Sequence, residues 1–122
     1  MNNKYKLAED INLKVNTSVT YCSDAKQYNV PEFWTEAGKF GDCEDYTLLK
    51  RDLLLKENWP ANKLFIACCW VETGGYHCVL MVDTDKGIFI LDNRYNWPTP
   101  PTQLPYTWDK CEREGIWCEL SF

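Results

Sequence analysis

Cys43, His77 and Asp92 together hold the groups of a thiol-based nucleophilic system. A thiolate attacks, an imidazole takes the proton of the thiol, and a carboxylate orients and charge-stabilises the imidazole. Cys43 lies in the stretch Gly41-Asp42-Cys43-Glu44-Asp45-Tyr46. His77 is the sole histidine of the chain. Asp92 closes the apolar run Ile88-Phe89-Ile90-Leu91.

The elements that must position these residues follow from the local pattern. Thr47 to Lys56 carries five leucines with no Gly or Pro, which predicts a helix from about Cys43 to Glu57, ending before Trp59-Pro60. Gly41 breaks the chain ahead of it. Asp42 suits the N-cap, and Asp45 three residues on stands in for the acid of a capping box. Cys43 is thereby placed in a first helical turn, where exposed N–H groups and the macrodipole favour a thiolate.

A sheet is expected to follow, with strands over 63–71, 76–83 and 88–92. Thr84-Asp85-Lys86-Gly87 is a hairpin turn with glycine at the position that tolerates positive φ. If Asp83 and Ile88 flank the turn, His77 falls opposite Arg94, and Asp92 is its diagonal neighbour on the same sheet face. Leu7, Ile11, Val15 and Val19 recur every fourth residue and predict an amphipathic first helix. Residues 23–40 read as a loop with a helical turn near Pro31-Glu32-Phe33-Trp34. Residues 96–105 read as an irregular, proline-rich loop, and 116–120 as a final edge strand. Trp59, Trp70, Trp97 and Trp108 are candidates for either the core or a substrate groove.

The chain has 122 residues, 45% of them hydrophobic and 25% charged, which suits one domain, 1–122, with one core. A net charge of −5 with no basic cluster argues against a nucleic-acid partner. There is no apolar run long enough for an export signal or a membrane span, so the expected site of synthesis is cytoplasmic. Seven cysteines, an odd number, are then expected as reduced thiols. One histidine and no Cys-x-x-Cys pair leave little basis for zinc.

The same residues carry a family resemblance. Ile11-Asn12 with Val15-Asn16, Val19 and Tyr21, then Asp24, Tyr28 and Phe33-Trp34, match its first half. Gly41-Asp42-Cys43-Glu44-Asp45-Tyr46, His77-Cys78-Val79-Leu80 and Leu91-Asp92-Asn93 match its most specific blocks in order and spacing. From about Ile11 onward the chain resembles the bacterial transglutaminase-like cysteine peptidases. The resemblance implies an α+β, papain-like or transglutaminase-like fold, with a nucleophile helix packed on an antiparallel sheet. It implies Cys43 as nucleophile, His77 as base and Asp92 as orienter.

Hydrolysis of a peptide amide through a thioester is the activity implied. The backbone N–H of Cys43, with a side-chain donor from Trp34, Gln27 or Tyr28, would hold the oxyanion. No cofactor is required, but a family member that clips surface adhesins binds calcium beside its nucleophile. Asp42 and Glu44 stand at the matching positions. Secreted members carry an export signal and a longer N-terminal region, neither of which is found here. The chain also resembles the compact, signal-less members encoded by phages and other mobile elements. Substrates then include proteins, peptides and peptidoglycan peptides, the last reached in the periplasm or cell wall. Acyl transfer to an amine and a non-catalytic binding protein on the same scaffold are the rival functions.

Overall fold

A computed structural model describes residues 4–18, 20, 21, 40, 41 and 43–122. The first helix, α1 (Lys4–Ser18), buries Ala8, Ile11, Asn12 and Val15, one stripe at helical spacing. The second, α2 (Cys43–Lys56), buries Cys43, Tyr46, Thr47, Lys50 and Leu54. Its end is built by Asn58 in the left-handed region (φ 66°). Asn58 N–H reaches the Leu55 carbonyl and Trp59 N–H the Leu54 carbonyl, each at 3.0 Å. That pair of bonds is a Schellman closure, and Trp59 packs into the core beside Leu54. Leu54 has no exposed surface, so Leu54→Ala costs about 2–5 kcal/mol.

Strands β1 (Thr20–Tyr21) and β2 (Phe40–Gly41) form a short parallel pair leading into α2. The main sheet is antiparallel, in the order β5-β4-β3-β6-β7. Its strands are β3 (Leu64–Trp70), β4 (Tyr76–Thr84), β5 (Gly87–Leu91), β6 (Thr107–Arg113) and β7 (Ile116–Glu119). The hairpin register is the one expected from its turn: Asp83 pairs with Ile88, and the ladder runs to Leu80 opposite Leu91. Gly87 takes the positive φ, +114°, that a side chain would strain.

Alternation along β4 divides the core. Leu80 and Val82 meet Ala8, Ile11, Val15, Tyr46 and Leu54 on the face covered by the helices. Val79 and Met81 meet Ala67, Ile90, Leu104 and Tyr106 on the other face. The architecture is therefore α+β, two described helices on one face of a five-stranded sheet.

Strand β6 is absent from the sequence reading. Its Asp109-Lys110 and Glu112-Arg113 pairs hide the apolar alternation, because only Trp108 and Cys111 join a core. Glu114 and Gly115, both at positive φ, turn it back into β7. The proline-rich loop also holds a 3₁₀ turn (Pro101–Gln103) and a bridge from Thr99 to Ile90. Val19 and residues 23–39 of the loop expected over 23–40 lie outside the described residues, and Phe40, expected in that loop, is in β2 instead. Trp59 and Trp108 belong to the core, whereas Trp70 and Trp97 are exposed.

Candidate active site

Cys43 opens α2 and is buried with Cys68 of β3 and Cys78 of β4. Glu44 and Asp45 add acidic groups to the first turn, where the helix dipole favours them. The helix start is fixed to the sheet by Thr47. Its hydroxyl donates to the Cys43 carbonyl at 2.8 Å and to the Cys78 carbonyl at 3.3 Å. The helix that Cys43 opens is thus seated on β4 one residue past His77. The Cys43 thiol donates to Glu44 Oε2 at 3.4 Å.

His77 and Asp92 are in direct contact. Nε2 of His77 donates to Oδ1 of Asp92 at 2.8 Å, and both residues are buried. A carboxylate only accepts, so the bond places the proton on Nε2 and leaves Nδ1 as the basic nitrogen. Asp92 sits one residue beyond the end of β5, and the diagonal placement across the hairpin is what brings it to His77.

Asp92 has further donors. The Arg94 N–H reaches Oδ1 at 3.0 Å, and the Tyr106 hydroxyl reaches Oδ2 at 2.5 Å. Burial works against the charge of Asp92. The hydrogen bond and charge of His77, with the Tyr106 and Arg94 donors, still hold its carboxyl below the usual carboxylate range. Tyr106 is fixed in turn. Arg94 donates to its oxygen at 3.2 Å and grips Glu72 with two bonds of 2.9 Å. That fork draws Glu72 down to about 2. The Tyr106 ring also meets the His77 ring edge-on, centroids 5.8 Å apart.

Helix α1 holds the backbone of the same turn. Asn16 Nδ2 donates to the carbonyls of Asp92 and Tyr95, both at 2.8 Å. Asn12 Nδ2 donates to the Tyr95 carbonyl at 3.0 Å, and Asn12 Oδ1 accepts from Lys50 Nζ at 2.7 Å. Lys50, on α2, has no exposed surface. Burial lowers its ammonium to about 7, against the pull of Asp92. Asn12, Asn16, Lys50, Glu72, Arg94 and Tyr106 were not singled out by chemistry in the sequence. The available signal was a pair of asparagines four apart beside the apolar stripe of α1.

The expected oxyanion donors Trp34, Gln27 and Tyr28 lie outside the described residues, as does Asp42. Of the two expected calcium ligands only Glu44 is described, and its carboxylate faces the Cys43 thiol. Among the described residues no group of three His, Cys, Asp or Glu side chains is placed to hold a metal ion. One carboxylate falls far short of the roughly six to eight oxygens of a calcium shell. The described residues alone do not fit the ion, and no chemical step below passes through it.

Comparisons with known proteins bear on the fold and the family. The structure is similar to that of Legionella pneumophila LapG, with TM-score 0.77, 20% identity, and coverage of 94% of this chain and 68% of LapG. The calcium-bound form of LapG gives TM-score 0.75 at 19% identity, covering 92% and 66% of the two chains. The EGTA-treated form gives 0.77 at 19%, covering 94% and 66%. The fold is therefore transglutaminase-like. Compared by sequence with curated proteins, the chain has no match. A family profile, that of the bacterial transglutaminase-like cysteine proteinases, matches residues 1–121. The chain belongs to the bacterial transglutaminase-like cysteine proteinases.

Proposed function

We propose that this protein hydrolyses a peptide amide through a thioester on Cys43. The observation that carries the reading is the 2.8 Å bond from His77 Nε2 to Asp92, made where Thr47 seats the start of the Cys43 helix on β4. His77 Nδ1 takes the Cys43 proton, and the thiolate attacks the amide carbonyl. The backbone N–H of Cys43 at the helix start donates to the oxyanion. The tetrahedral adduct expels the amine, which takes the proton from His77, and the acyl group stays on sulfur. Water, deprotonated by His77, then releases the acid. Asp92 stays ionised throughout, holding the tautomer and stabilising the imidazolium.

Proteins, free peptides and peptidoglycan peptides all present such an amide. An acid-quenched reaction with an N-acyl peptide thioester tests the reading. Mass mapping is expected to place the acyl group on Cys43, and none in Cys43→Ala. Acylation of another residue at the same rate would refute the assignment. Added primary amine separates hydrolysis from acyl transfer: only a transferase turns the acyl-enzyme into amide faster than water discharges it.

The calcium-bound form of LapG supports a second, separate reading, calcium held by Asp42 and Glu44. It predicts a higher Tm in calcium than in EGTA, lost in Glu44→Gln. Equal Tm values would remove it.

A further inference from the structure

Two cavities flank the start of β4, and Tyr76 lines both. One, of about 230 Å³, lies on the α2 side of the sheet. Its floor is Ile66, Cys68 and Cys78; Leu48 forms one wall and Trp117 the other. Cys68 and Cys78 are also the residues on which Cys43 packs, so this cavity lies across that thiol cluster from Cys43. The second, of about 410 Å³, opens beside His77 and is lined by Thr73, Asn93 and Arg94.

We propose that the 230 Å³ cavity is the acyl-side specificity pocket and takes an aliphatic side chain of leucine size. The inference rests on the proposed function and deepens it. The chemistry sets the direction. Sulfur takes the acyl carbon, so the acyl half of a substrate lies toward Cys43; the leaving amine takes its proton from His77, so the other half lies toward the larger cavity. An extended peptide crossing the start of β4 meets the two in that order.

The lining sets the side chain. The floor and both walls are apolar, and the two charged residues each have a neighbour of their own. The Lys110 ammonium lies 4.9 Å from the Trp117 ring centre, and the Glu44 carboxylate faces the Cys43 thiol. A dry cavity of about 150 Å³ already accepts benzene, so this one admits a branched aliphatic group. Trp70, Tyr76 and Trp117 stay 41%, 51% and 50% exposed at this end of the sheet, an apolar rim of the kind that binding surfaces keep.

The test uses two N-acetyl dipeptidyl chloromethyl ketones, one Leu-Leu and one Gly-Gly, with labelling of Cys43 followed by mass mapping. The Leu-Leu probe is expected to label at least about tenfold faster, the range for aliphatic groups in an apolar pocket. Leu48→Trp, at a half-buried wall position, should bring the ratio to about one. Trp117→Ala, at an exposed position, should enlarge the pocket and favour a Phe-Phe probe over Leu-Leu. A Leu-Leu to Gly-Gly ratio near one in the wild type, or a ratio unchanged in both variants, overturns the pocket. Failure of every probe to label Cys43 overturns the nucleophile assignment and the pocket with it, an outcome distinct from unselective labelling.

Discussion

Cys68 and Cys69 are adjacent on β3 and face opposite sides of the sheet. Cys68 faces α2, pairs with Cys78 across the strand and lies opposite Lys110. The Cys78 thiol donates to it, and its own thiol falls to about 7. Cys69 faces the second core, where it donates to the His77 carbonyl at 3.7 Å, and burial pushes it up to about 12. One residue type thus shifts in opposite directions over a single step of the chain. On the helix-covered face Cys68 is drawn down while its partner Cys78 is pushed up, and the other face supplies the fixed imidazole–carboxylate–phenol system. Catalysis in this account joins the two at the start of β4.

The largest effect should come from removing the nucleophile on the first face. Cys43→Ala is expected to lower amide turnover by about 10⁴-fold or more, with Tm little changed. Full activity in that variant would break the division of labour between faces. Asp92→Asn acts on the second face and should cost about 10³- to 10⁴-fold, since an amide no longer enforces the Nε2–H tautomer. It should also flatten the acid end of the stability curve. The lowered carboxyl of Asp92 contributes stability that is fully present above its unfolded value, about 4, and is lost as pH falls through its folded value.

Lys50 sharpens the contrast, because it is a fully buried cation in the helix layer that feels Asp92. Its folded value of about 7 lies below the unfolded value of about 10.4. Between those values the unfolded chain holds more protons, so stability should rise with pH, by on the order of a few kcal/mol in total. Below about pH 7 the ammonium is charged in both states and its burial cost stays in full. Lys50→Met should flatten that rise in a series of denaturant titrations; an unchanged slope would place the titration elsewhere. Tyr106→Phe removes one donor from Asp92 and should slow turnover roughly tenfold. The smallest effect concerns the thiol pair. At neutral pH in the native protein, a small disulfide reagent should modify Cys68 ahead of Cys69.

These contrasts were only partly legible in the sequence. The turn at Thr84-Asp85-Lys86-Gly87 carried the register, and the register carried Asp92 to His77, because a two-residue period leaves no freedom once the turn is set. The end of α2 was marked by Trp59-Pro60, although the closure itself depends on Asn58 at positive φ. Strand β6 was hidden, since charged pairs mask its alternation and its inner partner, β3, lies some forty residues earlier in the chain. Tyr106, Arg94 and Glu72 were hidden for a related reason. Tyr106 reaches Asp92, and Glu72 reaches Arg94, only after two loops fold back. The opposite shifts of Cys68 and Cys69 depend on cross-strand neighbours, and adjacency in sequence carries no sign of them.

The account stands most directly on one measurement: iodoacetamide alkylation against pH, with each label located by peptide mass mapping, in wild type and His77→Ala. The account predicts Cys43 labelling well below pH 8, lost in His77→Ala, with Cys68 labelling unchanged between the two proteins. Cys43 labelling that is no faster than that of the remaining thiols, or that survives loss of His77, would contradict an activated thiolate–imidazole pair.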